Sequence, residues 1–475
     1  MTKQARKVLR SSSQARANQA ARSNLRSPDE VLAEGKALRD KAPRPNHAEW
    51  KRPAGRIDPI ENLRATDSER LQELLPVRYG RMLVSPFTFF RGSAGVMAGD
   101  LAATPATGVR VQACGDCHLL NFGGFATPER NIIFDMNDFD ETLPAPWEWD
   151  VKRLAASFVL AARSIGLSDD DGRDAAVAAT RSYRERLAEY ARMSPLEVWY
   201  SQIHSDDILS LVSDDERQKV LRRKLAKAAE HSGGSELDYP QLAEVVGGQI
   251  HIRDAPPLIF HPEEARRPDF MTTLEAILAT YRESLSDDRR ALFDRYRFVD
   301  ASIKVVGVGS VGRRCWIGLF MSAGNDPLFL QFKEARASVL EPYAGASVYP
   351  HHGQRVVMGQ RLMQPASDVF LGWVTGVEGR QLYARQLRDA KIKPAVETFD
   401  AETLRLYAGA CGWALARGHA KAGDAWAISG YLGGKDVFDD AIGRFAVAYA
   451  DQAEADHGKL KAAVRAGKVQ VLREA

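Results

Sequence analysis

Two short stretches, CGDCHLLNFG at 114–123 and NIIFDMNDFDE at 131–141, crowd acidic and amide side chains into under thirty residues. Burying so many carboxylates is costly unless cations or hydrogen-bond donors compensate them, so any fold must bring such groups to this segment. Asp116 and Asn121 stand in a D-x-x-x-x-N spacing. Phosphoryl transfer to a hydroxyl needs a carboxylate that accepts the proton, and it needs an amide oxygen and a second carboxylate that hold Mg²⁺. The spacing therefore predicts Asp116 as the catalytic base and Asn121 as a metal ligand.

The second stretch supplies the carboxylates for the metal. Asp135 follows a short apolar run, and we interpret it as the main magnesium ligand. Asp138 or Asp140 could take its place, and the pattern leaves this choice open. His118 belongs to the catalytic loop with Asp116, where we expect it to orient the loop rather than to perform chemistry.

The first stretch also matches C-x-x-C-H, the c-type haem attachment pattern, through Cys114, Cys117 and His118. Attachment of that haem requires export, and no secretory signal is visible at the N-terminus. A zinc site from the same three residues lacks a clear fourth ligand. Both alternatives rank below the kinase-like interpretation of Asp116.

A glycine-rich segment, GVGSVG at 307–312, predicts a phosphate-binding turn. The residues that follow alternate between apolar and polar and read as a strand, whereas a dinucleotide-binding fold would continue as a helix. Strand, glycine turn and strand is the arrangement with which kinases cover nucleotide phosphates. The next strand, LFLQFK, ends on Lys333, where kinases place the lysine that binds the phosphates. The predicted nucleotide-binding residues are Gly307, Gly309, Ser310, Gly312 and Lys333.

Four further residues have weaker assignments. Arg91 either meets an acidic group of a ligand or pairs with Asp100 to fix a loop. Asp150 is interpreted as a helix cap that also tethers the catalytic loop. His419 lies on a mainly apolar helix and is expected to be packed in the core.

Local patterns predict an α+β fold. Periodicity predicts a helix over 63–83, an amphipathic helix after Pro146, strands from 298 onward that QRVVMGQRLMQ at 354–364 continues, and a helix over 402–422. The predicted organisation is a basic, disordered tail (1–55), a helical catalytic lobe (56–296), an antiparallel-sheet nucleotide lobe (297–375) and C-terminal helices that pack on the catalytic lobe (376–475).

Composition excludes several classes of protein. A net charge of +3 over 475 residues gives no argument for specific nucleic-acid binding, although residues 1–26 carry seven Lys or Arg and no acid. A nucleic-acid or membrane-surface arm is the alternative interpretation of that segment. Four cysteines form no disulfide framework, and no apolar run is long enough to span a membrane. We therefore expect a cytoplasmic protein.

Several segments together resemble the bacterial domain of unknown function 2252 family; they are FFRGSAGVMAGDL, CGDCHLLNFGGF, FDMNDFDET, PWEWDVKRLAAS, VVGVGSVGRRC, LFLQFKEARASVL and GQRLMQPASDVFLGW. That family is thought to belong with the protein-kinase-like folds, nearest to aminoglycoside phosphotransferase-type kinases. The resemblance implies a two-lobe fold with a nucleotide site, and it supplies no substrate. In ordinary kinases the glycine hairpin precedes the catalytic loop, whereas here Asp116 comes nearly two hundred residues before Gly307. We infer a circular permutation, in which the 402–422 helix occupies the place of the helix that normally precedes the catalytic loop. Glu341 is the nearest candidate for the glutamate that pairs with Lys333.

The sequence therefore predicts a protein that binds ATP and Mg²⁺ and transfers a phosphoryl group to a small-molecule hydroxyl or amine. A non-catalytic nucleotide sensor, a nucleotidyl transferase acting on protein and a metal-dependent hydrolase remain as alternatives.

Overall fold

The structure is a computed structural model, and it describes residues 26–212, 214–216, 218–220, 222–223, 242–263, 268–387 and 392–472. It is a mixed α+β fold in which helices predominate and the sheets are antiparallel. In chain order the α-helices of these ranges are α1 (Pro28–Lys41), α2 (Pro59–Arg64), α3 (Leu75–Leu83), α4 (Pro86–Gly92), α5 (Ala94–Leu101), α6 (Trp147–Ser164), α7 (Asp169–Tyr190), α8 (Pro195–Tyr200), α9 (Ser205–Ser210), α10 (Phe270–Glu283), α11 (Asp287–Phe293), α12 (Glu341–Ala344), α13 (His352–Met363), α14 (Ala401–Ala422), α15 (Ala425–Leu432) and α16 (Val437–Arg465). The strands are β1 (Arg110–Ala113), β2 (Phe122–Ala126), β3 (Ile132–Met136), β4 (Leu143–Pro146), β5 (Ala243–Val246), β6 (Gln249–Ile252), β7 (Ile259–Phe260), β8 (Tyr296–Lys304), β9 (Cys315–Ser322), β10 (Pro327–Glu334), β11 (Gly372–Thr375) and β12 (Gln381–Gln386).

The largest sheet has six strands in the order β11-β12-β10-β9-β8-β7. Its strands β8, β9 and β10 are consecutive antiparallel neighbours, which confirms the three strands predicted from 298 onward. Helices α10 and α11 cover one face of the sheet, where Tyr281 and Phe293 pack against the buried side chains of Phe320 and Phe332. This apolar contact packs the two helices against the sheet whose strands β8 and β9 flank the glycine-rich turn.

The segment at 354–364 forms most of helix α13, so the prediction that it continues the sheet is wrong. Its buried positions include Gly353, Val356, Val357 and Gln360, a spacing of three and four residues that suits one helix face. The paired valines favoured a strand locally. Packing of the whole segment against β11 and β12 decided for a helix.

A second body of helices surrounds two small two-stranded sheets, β1–β4 and β2–β3. Its core is built from α6, α7, α14 and α16, with Trp147 stacked on Tyr183 at a centroid separation of 5.7 Å. Helix α6 begins at Trp147 after Pro146 without a side-chain cap. Asp150 therefore lies inside the first turn rather than at the cap position, which corrects its predicted capping role.

The N-terminal segment is ordered further than the sequence predicted. Residues 1–25 lie outside the described residues, but α1 packs against α15 within the range assigned to a disordered tail. Arg39 donates hydrogen bonds to the carbonyls of Tyr431 at 2.8 Å and Gly430 at 2.8 Å. A capping box of Ser27 and Glu30 begins the helix.

The helix predicted over 63–83 is divided into α2 and α3 by short 3₁₀ turns.

In the described part of the chain, no helix combines the length and the apolar character needed to cross a membrane.

Candidate functional site

A cavity of about 700 Å³ lies where the glycine-rich turn of the large sheet faces the acidic segment of the helical body. It brings together most of the residues that the sequence singled out. Those that line it are Asp116, His118, Asn121, Asp138, Asp140, Gly307, Gly309, Ser310 and Lys333. Asp135 and Gly312 do not line it. Two segments that are far apart in the chain thus form one site.

An ion pair links strand β10 of the large sheet to the acidic segment. Lys333, near the end of β10, donates to Asp140 Oδ2 at 2.9 Å, across 193 residues of chain. Tyr383 on β12 donates to Asp140 Oδ1, and the hydroxyl of Ser310 lies 3.4 Å from Asp140 Oδ2. Lys333 and Asp140 are both largely buried, so the charges are held in a low-dielectric setting.

The electrostatics of these groups are strongly coupled. Burial works against the charge of Lys333, but Asp140 overcomes it and raises the lysine pKa above its ordinary value. Burial also opposes the charge of Asp140, but Lys333 and Arg313 hold that carboxyl's pKa below its ordinary value. Asp138 differs, because burial and then repulsion from Asp140 raise its pKa. A divalent cation beside Asp138 would compensate both effects.

The loop that carries Asp116 is shaped by its own backbone. Asn121 donates from Nδ2 to the carbonyl of Asp116 at 2.8 Å, and the N–H of His118 donates to the same oxygen at 3.0 Å. Arg153 on α6 donates to Asp116 Oδ1 from Nε at 2.8 Å and from Nη2 at 2.5 Å. The Asp116 side chain is 21% exposed and lines the cavity, and both hydrogen bonds from Arg153 go to Oδ1.

Asp150 fixes this loop from below. Its carboxylate accepts the N–H groups of Cys114 at 2.8 Å and Gly115 at 3.0 Å, which confirms the predicted tether. His419 is fully buried, as expected, and its Nε2 lies 3.2 Å from Asp150 Oδ2. Gly115 has a φ of +83°, and a Cβ there would lie 2.4 Å from the carbonyl oxygen of Glu141. Only glycine fits this position, since both the conformation and the close approach exclude a side chain.

Asp135 serves a different contact from the one predicted for it. Arg417 on α14 donates to Asp135 Oδ2 at 2.6 Å, and both side chains are 0% exposed. The N–H of Met136 donates to Asp135 Oδ1 at 2.8 Å. Both carboxylate oxygens are therefore occupied away from the cavity. The two alternatives that the sequence left open, Asp138 and Asp140, both line it, and Asp140 is paired with Lys333.

His118 lines the cavity but is almost completely buried. Burial, reinforced by the charges of Arg91 and Arg153, holds its pKa well below the ordinary histidine value. The ring is therefore neutral near pH 7. Its Nε2 lies 4.0 Å from Asp116 Oδ2, too far for a direct hydrogen bond, which suits the predicted orienting role better than proton transfer.

The glycine-rich turn is anchored by arginines that the sequence interpretation missed. Arg70 donates to the carbonyls of Gly309 at 3.1 Å and Val311 at 2.5 Å, and Arg81 donates to Val306 at 2.9 Å. Gly312 lies just outside the cavity with a φ of +83°, a conformation that glycine adopts without strain. The turn is thus held in place through its backbone carbonyls.

The cysteine pattern does not form a haem or zinc site of the predicted composition. Cys114, Cys117 and Asp150 offer ligand atoms within 4.8 Å of one another, and His118 is not in this group. Both thiols are fully buried, and burial raises the pKa of each above the ordinary cysteine value. Asp150 already binds two backbone N–H groups. Within this cluster, Asp150 therefore stabilises the loop that carries Asp116.

Two predicted pairings are replaced by others. Asp100 accepts from Arg56 at 2.6 Å and from Tyr449 at 2.8 Å, so it is not the partner of Arg91. Glu341 accepts the N–H of Ser338 at 3.1 Å and does not pair with Lys333. The sequence held one signal for the missed arginines, because Arg417 stands among small apolar residues on a helix, a setting in which a charge must find a buried partner.

No curated protein and no solved structure matches the chain. Over residues 70–463, however, it matches the family described as an uncharacterized protein conserved in bacteria, DUF2252. The match covers far more than half of the chain and contains the loop that carries Asp116, the glycine-rich turn and Lys333. The chain belongs to the DUF2252 family.

Proposed function

We propose that this protein is an ATP- and Mg²⁺-dependent phosphotransferase that acts on a small-molecule hydroxyl or amine. Asp116 is the base, Asn121 and Asp138 hold the metal, Lys333 binds the nucleotide phosphates, and the 307–312 turn covers them. The placement of Asp138 in the cavity favours it over Asp135 as the metal carboxylate.

The observation that carries the proposal is the 2.9 Å contact between Lys333 and Asp140 in a cavity that Asp116 also lines. A phosphate-binding lysine, a glycine turn and an acidic loop facing one another are the parts that phosphoryl transfer uses. If the glycine-rich turn and the acidic loop were only structural turns, the fold would not need to place them on opposite sides of one cavity.

The chemistry follows from these positions. The acceptor oxygen or nitrogen gives its proton to Asp116 while it forms a bond to the terminal phosphorus of ATP. The bond between that phosphorus and the oxygen bridging to ADP breaks, and ADP leaves with the electron pair. Mg²⁺ supplies charge neutralisation on the phosphates when it is bound, and Lys333 adds a fixed cation beside them.

A protein-kinase-like fold in circularly permuted order is part of the proposal. Strands β8, β9 and β10 follow one another as neighbours, with the glycine turn after the first and Lys333 on the third, as in kinases. The acidic loop precedes them in the chain instead of following them. Arg417 joins helix α14 to the β2–β3 hairpin through its contact with Asp135. This contact supports placing α14 where kinases have the helix that precedes the catalytic loop. Sites survive such reordering because geometry and role define them.

Replacement of Asp116 by Asn tests the proposed base. We expect turnover to fall by about 10²–10⁴-fold, because general base catalysis is lost, while ATP affinity stays within about threefold. Asp288→Asn is the matched control, because the Asp288 side chain is exposed and does not line the cavity. ADP release with a metabolite panel gives turnover, and calorimetry gives affinity. Full activity of Asp116→Asn would rule out the role.

A nucleotide sensor without turnover is the second candidate, and a specific arrangement favours it. Glu341, the glutamate considered for Lys333, does not pair with it, because Lys333 is paired with Asp140 instead. Arg153 likewise already neutralises Asp116. A thermal shift with ATP and Mg²⁺ that Asp138→Asn abolishes, together with no ADP release from any acceptor in the panel, would support the sensor.

A further inference from the structure

We propose that the phosphoryl acceptor is itself an anion and that Arg91 binds its carboxylate or phosphate group beside Asp116. This inference rests on the proposed function, because it concerns the acceptor side of the same cavity. It names a class of substrate that the family resemblance does not supply.

The first argument is the charge that lines the cavity. Eight cationic side chains contribute to the lining; they are Arg70, Arg78, Arg91, Lys304, Arg313, Lys333, Arg385 and Lys393. Four carboxylates oppose them; they are Asp116, Asp138, Asp140 and Glu141. Cationic side chains thus outnumber acidic ones in the lining, although some of them pair with residues outside it, as Arg78 does with Asp67 at 3.0 Å. A wall of this composition suits an anionic ligand better than a cationic one.

Arg91 is the cation best placed to hold the acceptor. Its Nε is buried and has no hydrogen-bond partner, and no ion pair with any residue of the described chain involves it. The guanidinium lies 5.8 Å from the ring centroid of Phe87. Burial lowers the pKa of Arg91, and the nearby charge of Asp116 opposes that shift. A buried Nε without a hydrogen-bond acceptor is costly, and an anion that accepts from it would remove that cost.

The neighbouring cations are already engaged. Arg153 binds Asp116, Lys333 binds Asp140, and Arg313 lies 3.3 Å from Glu141. Arg91 differs from all three, because its Nε lacks an acceptor and no carboxylate of the described residues forms an ion pair with it.

The position of Arg91 beside the base is fixed by packing. Arg153 donates from Nη2 to the carbonyl of Phe90 at 3.0 Å and to Asp116 Oδ1, so one side chain connects the last turn of α4 to the catalytic loop. The guanidinium of Arg153 also lies 4.2 Å from the centre of the Phe90 ring. Arg91, the residue that follows Phe90, is therefore held near the loop that carries Asp116.

The chain after Arg91 adds donors to the same wall. Residues 92–95 all line the cavity, and helix α5 begins there at Ala94. The N–H groups of Ala94 and Gly95 belong to the first turn and have no acceptor within their own helix. A helix start that faces the cavity favours an anion, which adds to the effect of Arg91.

The test uses the full-length protein loaded with a non-hydrolysable ATP analogue and Mg²⁺, which occupies the site of the terminal phosphate. Inorganic phosphate is then titrated by calorimetry as the probe for the acceptor site. We expect saturable binding to the wild type, at least tenfold weaker binding to Arg91→Gln, and analogue affinity unchanged within about threefold. Arg282→Gln, an exposed arginine outside the cavity, should behave as the wild type. Arg91→Lys keeps the charge but not the planar fork, so it should weaken phosphate binding by less than Arg91→Gln does.

The outcomes separate the two proposals. If the analogue does not bind the wild type, the proposed function fails. If the analogue binds but phosphate does not, or phosphate binds Arg91→Gln as tightly as the wild type, the acceptor inference fails and the proposed function stands. If Arg91→Gln loses analogue affinity instead, Arg91 belongs to the nucleotide site and the inference is again overturned. Should Arg91→Gln fail to fold, Arg91→Lys decides between these results.

Discussion

The contact between Asp135 and Arg417 offers the sharpest test of the structure. Arg417→Met removes a guanidinium that donates to Asp135 at 2.6 Å and to the carbonyl of Met363 at 2.6 Å. Methionine fills a similar volume without charge. The carboxylate of Asp135 would keep only the N–H of Met136 as a partner, in a site that is completely buried.

The expected loss of stability follows from that burial. Removing one partner of a buried ion pair leaves an uncompensated charge and costs about 3–5 kcal/mol. Burial already raises the pKa of Asp135 in spite of Arg417, and without the arginine that pKa rises further. A carboxyl whose folded pKa is raised destabilises the fold when it is ionised. The loss should therefore be largest above the raised pKa and shrink as the pH falls toward 4.

Urea denaturation at several pH values measures this. Arg282→Met is a matched control, because Arg282 also lies 2.6 Å from its partner Asp294 but the pair is exposed, so stability should change little. The double variant Asp135→Asn with Arg417→Met should recover part of the loss, because no unpaired charge remains. A loss in Arg417→Met no larger than in the control, or no dependence on pH, would contradict the buried pair. Loss of Mg²⁺-dependent ATP binding in a folded Asp135→Asn, but not in Asp138→Asn, would restore Asp135 as the metal ligand.

Three further outcomes are expected. Gly115→Ala should lower the free energy of unfolding by about 1–3 kcal/mol in urea titrations, because a Cβ would lie 2.4 Å from the carbonyl oxygen of Glu141 at a positive φ; an unchanged midpoint would contradict the loop geometry. Lys333→Met should abolish the thermal shift with ATP and Mg²⁺, whereas Lys51→Met, at an 84% exposed side chain, should keep it; a shift retained in Lys333→Met would refute the phosphate role. His118→Asn should reduce the acid sensitivity of the fold by up to about 1.4 kcal/mol per pH unit below 6.5, since the buried ring resists the proton that the unfolded chain accepts. Stability curves of equal slope for His118→Asn and the wild type between pH 5.5 and 7.5 would contradict a neutral buried ring.

Local sequence patterns were sufficient to predict part of the fold. The alternation of β8 to β10 and the glycine turn between the first two strands could be predicted, because strand periodicity and turn residues act over a few positions. The tether from Asp150 to the catalytic loop was also predicted correctly, although its capping role was not. Helix α13 was missed because its valines favour a strand locally and only packing against the sheet overrides that preference.

The division of labour among the acidic residues required the tertiary structure. Sequence spacing favoured Asp135 as the main metal ligand and could not exclude Asp138 or Asp140, since all three lie within six residues. Arg417 reaches Asp135 from a helix 282 residues away, and Lys333 reaches Asp140 across 193 residues. Asp138 is the one that faces the cavity without such an ion pair among the described residues. Which carboxylate a distant cation neutralises depends on how helices and sheet pack together, and no local pattern encodes a contact of that range.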